Sequence, residues 1–211
     1  MKQNLLILLL FLTLSIKAQE LQNTQKRFQG LYAGASFGIQ NIFGGAFIDD
    51  LDLLAQKSGF VFELLGGYRL QLLDRRFVLG AEYLYGFSNG DMNIRDPRYS
   101  FVVNYRNDHQ IGLSLNLGYA FGESRDYLAY FMIGQGRRNF DISFMDLIGA
   151  SHVQKDQQNF DRFGLGFEAN ISQQISTRVN ASKIFVDYGE LKVSQDVEDK
   201  LDVNLALIFQ L

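Results

Sequence analysis

The sequence contains no cysteine and no tryptophan, and it has a single proline in 211 residues. Without cysteine there is no disulfide framework, no thiolate metal site and no N-terminal cysteine to carry a lipid. The scarcity of proline removes the residue that most often interrupts strands, because proline cannot donate a ladder hydrogen bond. Glycine (20), phenylalanine (19) and tyrosine (10) are abundant instead. This composition favours long strands with an apolar face over a soluble α/β enzyme.

Clusters of positive charge are missing as well. The net charge is −3, and a mildly acidic chain without basic patches argues against nucleic acid as a partner. With 211 residues the chain is long enough for one domain with a sizeable core.

The first residues have the layout of a secretory signal peptide. Lys2 supplies the positive start, an almost purely apolar run covers residues 5–16, and Ala18 offers a small residue for cleavage. The run is too short for a membrane-spanning helix, which needs about 20 residues. We therefore expect a signal peptide at 1–18, a short extension at 19–29 and one domain at 30–211. A retained N-terminal membrane anchor is the alternative.

The main signal in the remaining sequence is alternation of apolar and polar residues with a period of two, which is the pattern of β-strands. It predicts eight strands, each about as long as a tilted membrane-spanning strand. They cover residues 30–40, 60–70, 77–87, 111–121, 127–135, 162–171, 177–188 and 201–211.

Two of these strands have no clear phase. The fifth, at 127–135, is apolar on both faces. The seventh, at 177–188, places Lys183 and Asp187 on the same face as Val179 and Phe185. A β-bulge near Ser182 is one way to resolve this conflict.

The predicted connections alternate in length. About five residues separate strands two and three, four and five, and six and seven, whereas the other connections are longer polar stretches such as 89–109 and 137–159. Short turns at one end and long loops at the other are typical of outer-membrane β-barrels, in which the short turns face the periplasm.

Charged residues of both signs occupy the polar faces of the predicted strands. Inside a narrow eight-stranded barrel such charges could pair and fill the lumen. The predicted lumen charge cluster comprises Glu63, Arg69, Glu82, Arg162, Glu168, Arg178 and Asp202. A soluble, lipocalin-like barrel with its apolar face turned inward remains the alternative.

Aromatic residues collect near the predicted strand ends, where a membrane barrel carries interfacial girdles. The expected interfacial aromatics are Tyr68, Phe77, Tyr119, Phe121 and Tyr127.

With eight alternating strands, short turns and a last strand that closes on Phe209 and Leu211, the chain resembles the small outer-membrane β-barrel family (OmpA/OmpX-like, "porin family"). The resemblance covers residues 30–211. It implies a multi-pass protein of the Gram-negative outer membrane, exported by its signal peptide and inserted by the barrel-assembly machinery. Members usually end in an aromatic residue that serves as an assembly signal, a role that Phe209 and Leu211 are expected to fill here.

Few residues suggest chemistry. His109 and His152 fall in or near predicted outer loops, and neither has the His-x-Ser arrangement expected of a lipid-modifying barrel. Asp49, Asp50 and Asp52 lack the glycine and distal glutamate of a calcium loop. Arg137 and Arg138 form a predicted basic rim for lipopolysaccharide phosphates. We expect no cofactor, no metal site and no enzymatic activity.

Three functions therefore remain open at the level of sequence. The first is a structural or surface-interaction barrel whose loops contact lipopolysaccharide or an unidentified extracellular partner. The second is a narrow channel for ions or small solutes, although eight strands normally leave no continuous water path. The third is a lipid-modifying enzyme.

Overall fold

The computed structural model describes residues 27–48, 51–72, 76–96, 101–145, 151–186 and 201–211. Almost all of these residues lie in antiparallel strands. The strands are β1 (Gly30–Ile48), β2 (Leu51–Leu72), β3 (Phe77–Ser88), β4 (Met92–Asp96), β5 (Phe101–Phe121), β6 (Tyr127–Met145), β7 (Ser151–Asn170), β8 (Ile175–Val186) and β9 (Asp202–Gln210). No helix in these ranges is long and apolar enough to span a membrane.

The strands close into an eight-membered ring. β3 and β4 both pair with β5, so together they form one interrupted member, and β1 closes the ring by pairing with β9. Following the register from Phe77 around the ring leads back to Phe87, ten residues further along the same strand. This displacement is the shear that links strand tilt to barrel width.

Side chains alternate between the lumen and the outer wall. In β3 and β9 the inward residues are buried while the outward ones are exposed, and the exposed positions are mostly large and apolar. An apolar outer wall around a charged interior is the arrangement of a lipid-facing barrel. The predicted fold, an eight-stranded transmembrane β-barrel, is confirmed.

The structure assigns a phase to both ambiguous strands. In β6, Phe131 and Ile133 face outward, while Leu128, Tyr130 and Met132 are buried in the lumen. In β8, the outward set includes Val179 and Phe185, together with a half-buried Lys183 whose ammonium lies 5.0 Å from the Phe185 ring centroid. Lys183 is thus accommodated on an apolar face by its aromatic neighbour.

The predicted bulge near Ser182 is wrong. The β7–β8 register runs without a shift from Phe160↔Val186 to Asn170↔Ser176, because Lys183 points outward and no extra residue is needed. A register shift occurs instead on β5, between Asn107 and His109.

The predicted long loops are also largely wrong, because β1, β2, β5, β6 and β7 extend well beyond the predicted strands. β6 and β7 pair as far as Met145↔Ser151, and β1 and β2 as far as Ile48↔Leu51. Strand pairing needs only backbone hydrogen bonds, whereas apolar alternation is enforced only where one face meets lipid. These outer segments are therefore strands whose sequences do not alternate between apolar and polar residues.

Two of the three predicted short connections at the opposite end are confirmed as turns, and most of the third, at 72–76, lies outside the described residues. Residues 122–126 join β5 to β6, with the amide of Arg125 donating to the carbonyl of Gly122 (3.2 Å) and both residues at positive φ. Residues 171–174 join β7 to β8. The predicted signal peptide at 1–18 and most of the extension at 19–29 lie outside the described residues.

Candidate functional site

The lumen holds a dense set of charged side chains. Each lies at or below 7% relative exposure, and their formal charges cancel. The four arginines are Arg69, Arg138, Arg162 and Arg178, and the four acids are Glu63, Glu82, Glu168 and Asp202. Because an unpaired buried charge is costly, the contacts among these groups decide whether the lumen is stable.

The inner ionic cluster, Arg69, Glu82, Glu168 and Arg178, lies toward the short turns. Arg69 forms a bidentate pair with Glu168 (3.0 and 2.8 Å), the geometry in which a guanidinium binds a carboxylate most strongly. Arg178 bridges the two acids through Nε to Glu168 (3.0 Å) and NH1 to Glu82 (2.5 Å). These four side chains thus form a continuous chain of ion pairs with no net charge, and this chain links β2, β3, β7 and β8.

Hydroxyl groups complete the inner ionic cluster. Tyr32 donates to Glu82 (2.8 Å) and Ser176 donates to Glu168 (2.6 Å). The guanidinium of Arg69 also lies 4.1 Å from the Tyr32 ring centroid. Tyr32 fits here because its neighbour is Gly67, where an added Cβ would come within 2.6 Å of the Tyr32 ring.

The outer ionic cluster, Glu63, Arg138, Arg162 and Asp202, lies farther from the short turns. Glu63 accepts hydrogen bonds from Arg162 (3.2 and 3.3 Å), Ser36 (3.0 Å) and Gln110 (2.9 Å). One oxygen of Asp202 accepts from both the backbone and the side-chain amide of Asn41 (2.8 and 3.2 Å).

Two glutamines tie the outer ionic cluster together. Arg138 donates to the Gln110 carbonyl oxygen (3.3 Å). With its amide oriented to satisfy its neighbours, Gln40 accepts from both Arg138 (3.1 Å) and Arg162 (3.0 Å) and donates to Gln110 (3.0 Å). A single carbonyl oxygen thereby bridges two arginines whose like charges would otherwise repel.

An apolar base fills the lumen below the ionic clusters. It consists of the buried side chains Phe28, Val78, Ala120, Leu128, Tyr130 and Met132. Phe28 is fully buried, and its backbone amide lies 3.4 Å from the Gln71 side-chain oxygen. The residues just before β1 therefore contribute to the packing of the lumen.

Arg138 is the lumen charge that sequence reasoning missed. The prediction of a basic rim is wrong for this residue, because β6 continues past residue 135 and its even-numbered side chains point inward. Arg137 does lie on the outer surface, where its Nε donates to Asn159 (3.3 Å). Because the predicted strand at 127–135 is apolar on both faces, its pattern could not assign Arg138 to the lumen face.

All five predicted interfacial aromatics lie on the outer wall and near the short turns. They are exposed by 38–46%, and Tyr119 stacks edge-on with Phe77 at 5.5 Å between ring centroids. Phe121 and Tyr127 both contact Phe167. Further aromatic contacts that the sequence did not single out lie higher on the wall, between Phe37 and Phe60, Tyr85 and Phe87, and Phe163 and Phe185.

The remaining candidate residues do not form a reaction centre in the described ranges. His109 lies on β5, where its ring nitrogens contact Asp108 (3.0 Å) and Asn139 (3.0 Å). His152 lies on β7, Asp52 lies on β2, and Asp49 and Asp50 fall outside the described residues. Among those described, no three His, Cys, Asp or Glu side chains are placed to hold a metal ion.

The strands beyond the membrane-facing band carry mixed charges on their outer surface. Arg106 on β5, Asp141 on β6 and Lys155 on β7 are register partners across three strands. On the opposite face of the same sheet Tyr105 is buried, and burial together with the nearby Asp156 carboxylate raises the Tyr105 pKa to about 12. On β5 and β6 this region therefore has a mostly apolar inner face, with Val103, Tyr105, Phe140 and Ile142, and a charged outer face.

Three solved structures are similar to this chain at low sequence identity, and the first of them shares its fold. Neisserial surface protein A has 12% identity and a TM-score of 0.50, with 86% of this chain and 97% of that chain covered. The N-terminal β-barrel domain of Pseudomonas aeruginosa OprF has 13% identity and a TM-score of 0.44, with 86% of this chain and 97% of that chain covered. Ail, the attachment invasion locus protein of Yersinia pestis, has 10% identity and a TM-score of 0.45, with 86% of this chain and 96% of that chain covered.

No curated protein sequence is significantly similar to this chain. The family described as "Outer membrane protein beta-barrel domain" matches residues 6–209, which is nearly the whole sequence. Together with the closed ring and the apolar outer wall, this match shows that the chain belongs to the outer-membrane β-barrel domain family.

Proposed function

We propose that this protein is a closed barrel that anchors in the outer membrane and has a structural or surface-interaction role there. Export by the N-terminal signal peptide and insertion by the barrel-assembly machinery, with Phe209 and Leu211 as the assembly signal, are parts of the proposal. Phe209 is outward-facing on β9, and the backbone amide of Leu211 donates to Leu31 of β1. The short turns would face the periplasm and the extended strands the exterior.

The observation that carries the proposal is the filled lumen. An apolar base and two neutral ionic clusters follow one another along the barrel, and several members are almost fully buried. Each guanidinium would have to leave a carboxylate or amide partner to open a water path. Breaking such buried pairs costs about 3–5 kcal/mol, so a resting channel is disfavoured.

The extended strands support the interaction half of the proposal. Their outer surface is polar and of mixed charge, which suits contact with lipopolysaccharide sugars or with an extracellular partner. Enzymatic activity is not proposed, because the ring nitrogens of His109 contact Asp108 and Asn139, and neither of these side chains is a nucleophile.

The first experiment measures conductance of the refolded protein in planar bilayers, with a sixteen-stranded porin as the positive control. We expect no steady unitary steps from this protein. Steady steps would replace the closed anchor with the narrow-channel alternative.

The second experiment separates the structural role from the interaction role in cells. One strain lacks the protein, and another carries a variant in which an Asn-Gly turn replaces residues 140–156 between the register partners Asn139 and Gln157. We expect the deletion to raise uptake of an excluded dye or to lower attachment to surfaces, and the trimmed variant to restore only dye exclusion. A deletion that changes neither readout contradicts the proposal.

A further inference from the structure

A depression of about 630 Å³ lies on the outer wall, and the inward-facing ring of Phe160 contributes to its lining. Its floor follows one register row across five strands, from Tyr83 through Leu113, Gln135 and Asp161 to Phe185. The two aromatic side chains at the ends of the row form the walls. We propose that this depression binds one phosphorylated glycolipid of the outer leaflet.

The height of the depression on the barrel points to the outer leaflet. Ten residues separate Arg137, on its rim, from Tyr127, which follows a short turn. At about 3.3 Å per residue and a tilt near 40°, this separation is about 25 Å along the barrel axis. The apolar band of such barrels is also about 25 Å tall. Arg137 therefore lies at the membrane surface opposite the short turns.

The lining changes from apolar to polar at the same height. Just below the depression, Ile133 on β6 and Phe163 on β7 are exposed and apolar. Two residues farther out, the outward positions of β6 and β7 that line the depression are Gln135, Arg137, Asn159 and Asp161. An acyl chain fits against the first set and a headgroup fits against the second.

The polar lining requires two kinds of group in one ligand. Arg137 is exposed and fixed through Nε by Asn159, so its guanidinium can face a phosphate. Asp161 accepts a hydrogen bond from Gln135 (3.0 Å), and a carboxylate beside a phosphate site needs a hydroxyl donor from the ligand. A sugar that carries a phosphate, free hydroxyl groups and an acyl chain can therefore contact Arg137, Asp161 and the apolar wall below them.

The inference deepens the lipopolysaccharide contact of the proposed function and rests on membrane insertion, but it does not rest on the closed lumen. Failure of the lipid test therefore leaves the closed anchor intact, and appearance of a conductance leaves the lipid site intact. The lumen residues are not used, so variants on the outer wall can be compared within one folded barrel.

The test is native mass spectrometry of the refolded protein in micelles that contain one lipid at a time. The lipids are diphosphorylated lipid A, the same lipid without phosphates, and phosphatidylethanolamine. We expect a one-to-one adduct with diphosphorylated lipid A and at least about tenfold less adduct with either other lipid. A tenfold difference in affinity corresponds to about 1.4 kcal/mol. Equal retention of phosphatidylethanolamine overturns the assignment to a glycolipid.

Two variants with matched controls locate the site. Arg137→Ala is expected to lower lipid A retention about tenfold, a loss in line with one charge-assisted hydrogen bond, whereas Arg106→Ala, which removes another outward arginine of the extended strands, leaves it unchanged. Gln135→Trp fills the depression and abolishes the adduct, whereas Leu115→Trp, on the lipid-facing wall outside it, does not. Equal effects of a variant and its control overturn the site.

Discussion

At the scale of single residues, the inner ionic cluster shows how a narrow lumen tolerates charge. Glu168 receives hydrogen bonds from Arg69, Arg178 and Ser176, so both of its oxygens are engaged. Each arginine in turn holds an acid from a different strand. A carboxylate in this position stabilises the barrel by contacting two buried guanidinium groups at once.

Glu168→Gln is therefore expected to destabilise the barrel strongly, because it preserves shape but leaves Arg69 and Arg178 with one acid between them. The expected loss in free energy of unfolding is about 3–5 kcal/mol, the range for removing one partner of a buried pair. Urea unfolding in lipid vesicles, followed by loss of the heat-modifiable band, measures it.

Glu123→Gln is the control, because Glu123 is an exposed acid in the turn between β5 and β6. An exposed substitution of this kind changes stability by about 0.5 kcal/mol or less. Similar urea midpoints for the two variants would show that the inner ionic cluster contributes little.

The positions of most lumen charges followed from the sequence, but their pairing did not. Alternation placed Glu63 and Arg162 on the inner face of their strands, and any period-two pattern fixes a face. Alternation carries no information on which strand lies opposite across the lumen, so the contact between these two residues required the closed ring. Arg138 was missed because its predicted strand ended at residue 135 and had no clear phase.

At the scale of elements, the strands were predictable where one face meets lipid and not beyond. Lipid contact demands an apolar residue at every second position, as in β9, where the outward side chains are all apolar. The outer half of β7 has no such demand, and its sequence contains polar residues at both phases. Backbone pairing alone maintains that half as a strand.

The seam between β1 and β9 closes the ring, and its tightest point offers a test. A Cβ added to Gly38 would lie 2.2 Å from the Val203 carbonyl oxygen, so Gly38→Ala forces the two strands apart. We expect a loss of roughly 1–3 kcal/mol, as for other overpacked sites, and a smaller heat-modifiable fraction after refolding.

Gly66→Ala on β2 is the matched control, because the nearest atom to its added Cβ, the Tyr32 carbonyl oxygen, is 3.8 Å away. This variant should keep wild-type stability or gain slightly, since glycine weakens a strand interior. If both variants refold equally well, close approach at the seam does not limit assembly.

At the scale of the whole molecule, the asymmetry of the barrel predicts its orientation in the membrane. Turns of a few residues, such as 122–126, lie at one end, and extended strand pairs lie at the other. The apolar base is at the turn end, and the charged outer surface of β5, β6 and β7 is at the far end. A barrel of this kind inserts with its short turns in the periplasm.

The absence of cysteine makes this orientation directly measurable, because any introduced thiol is unique in the chain. Lys155→Cys on β7 and Glu123→Cys in the turn both replace exposed charged residues. A membrane-impermeant maleimide applied to intact cells should label Lys155→Cys and leave Glu123→Cys unlabelled until the outer membrane is opened. The reverse pattern would invert the barrel and place Arg137 at the inner leaflet, so the glycolipid site would also have to be abandoned.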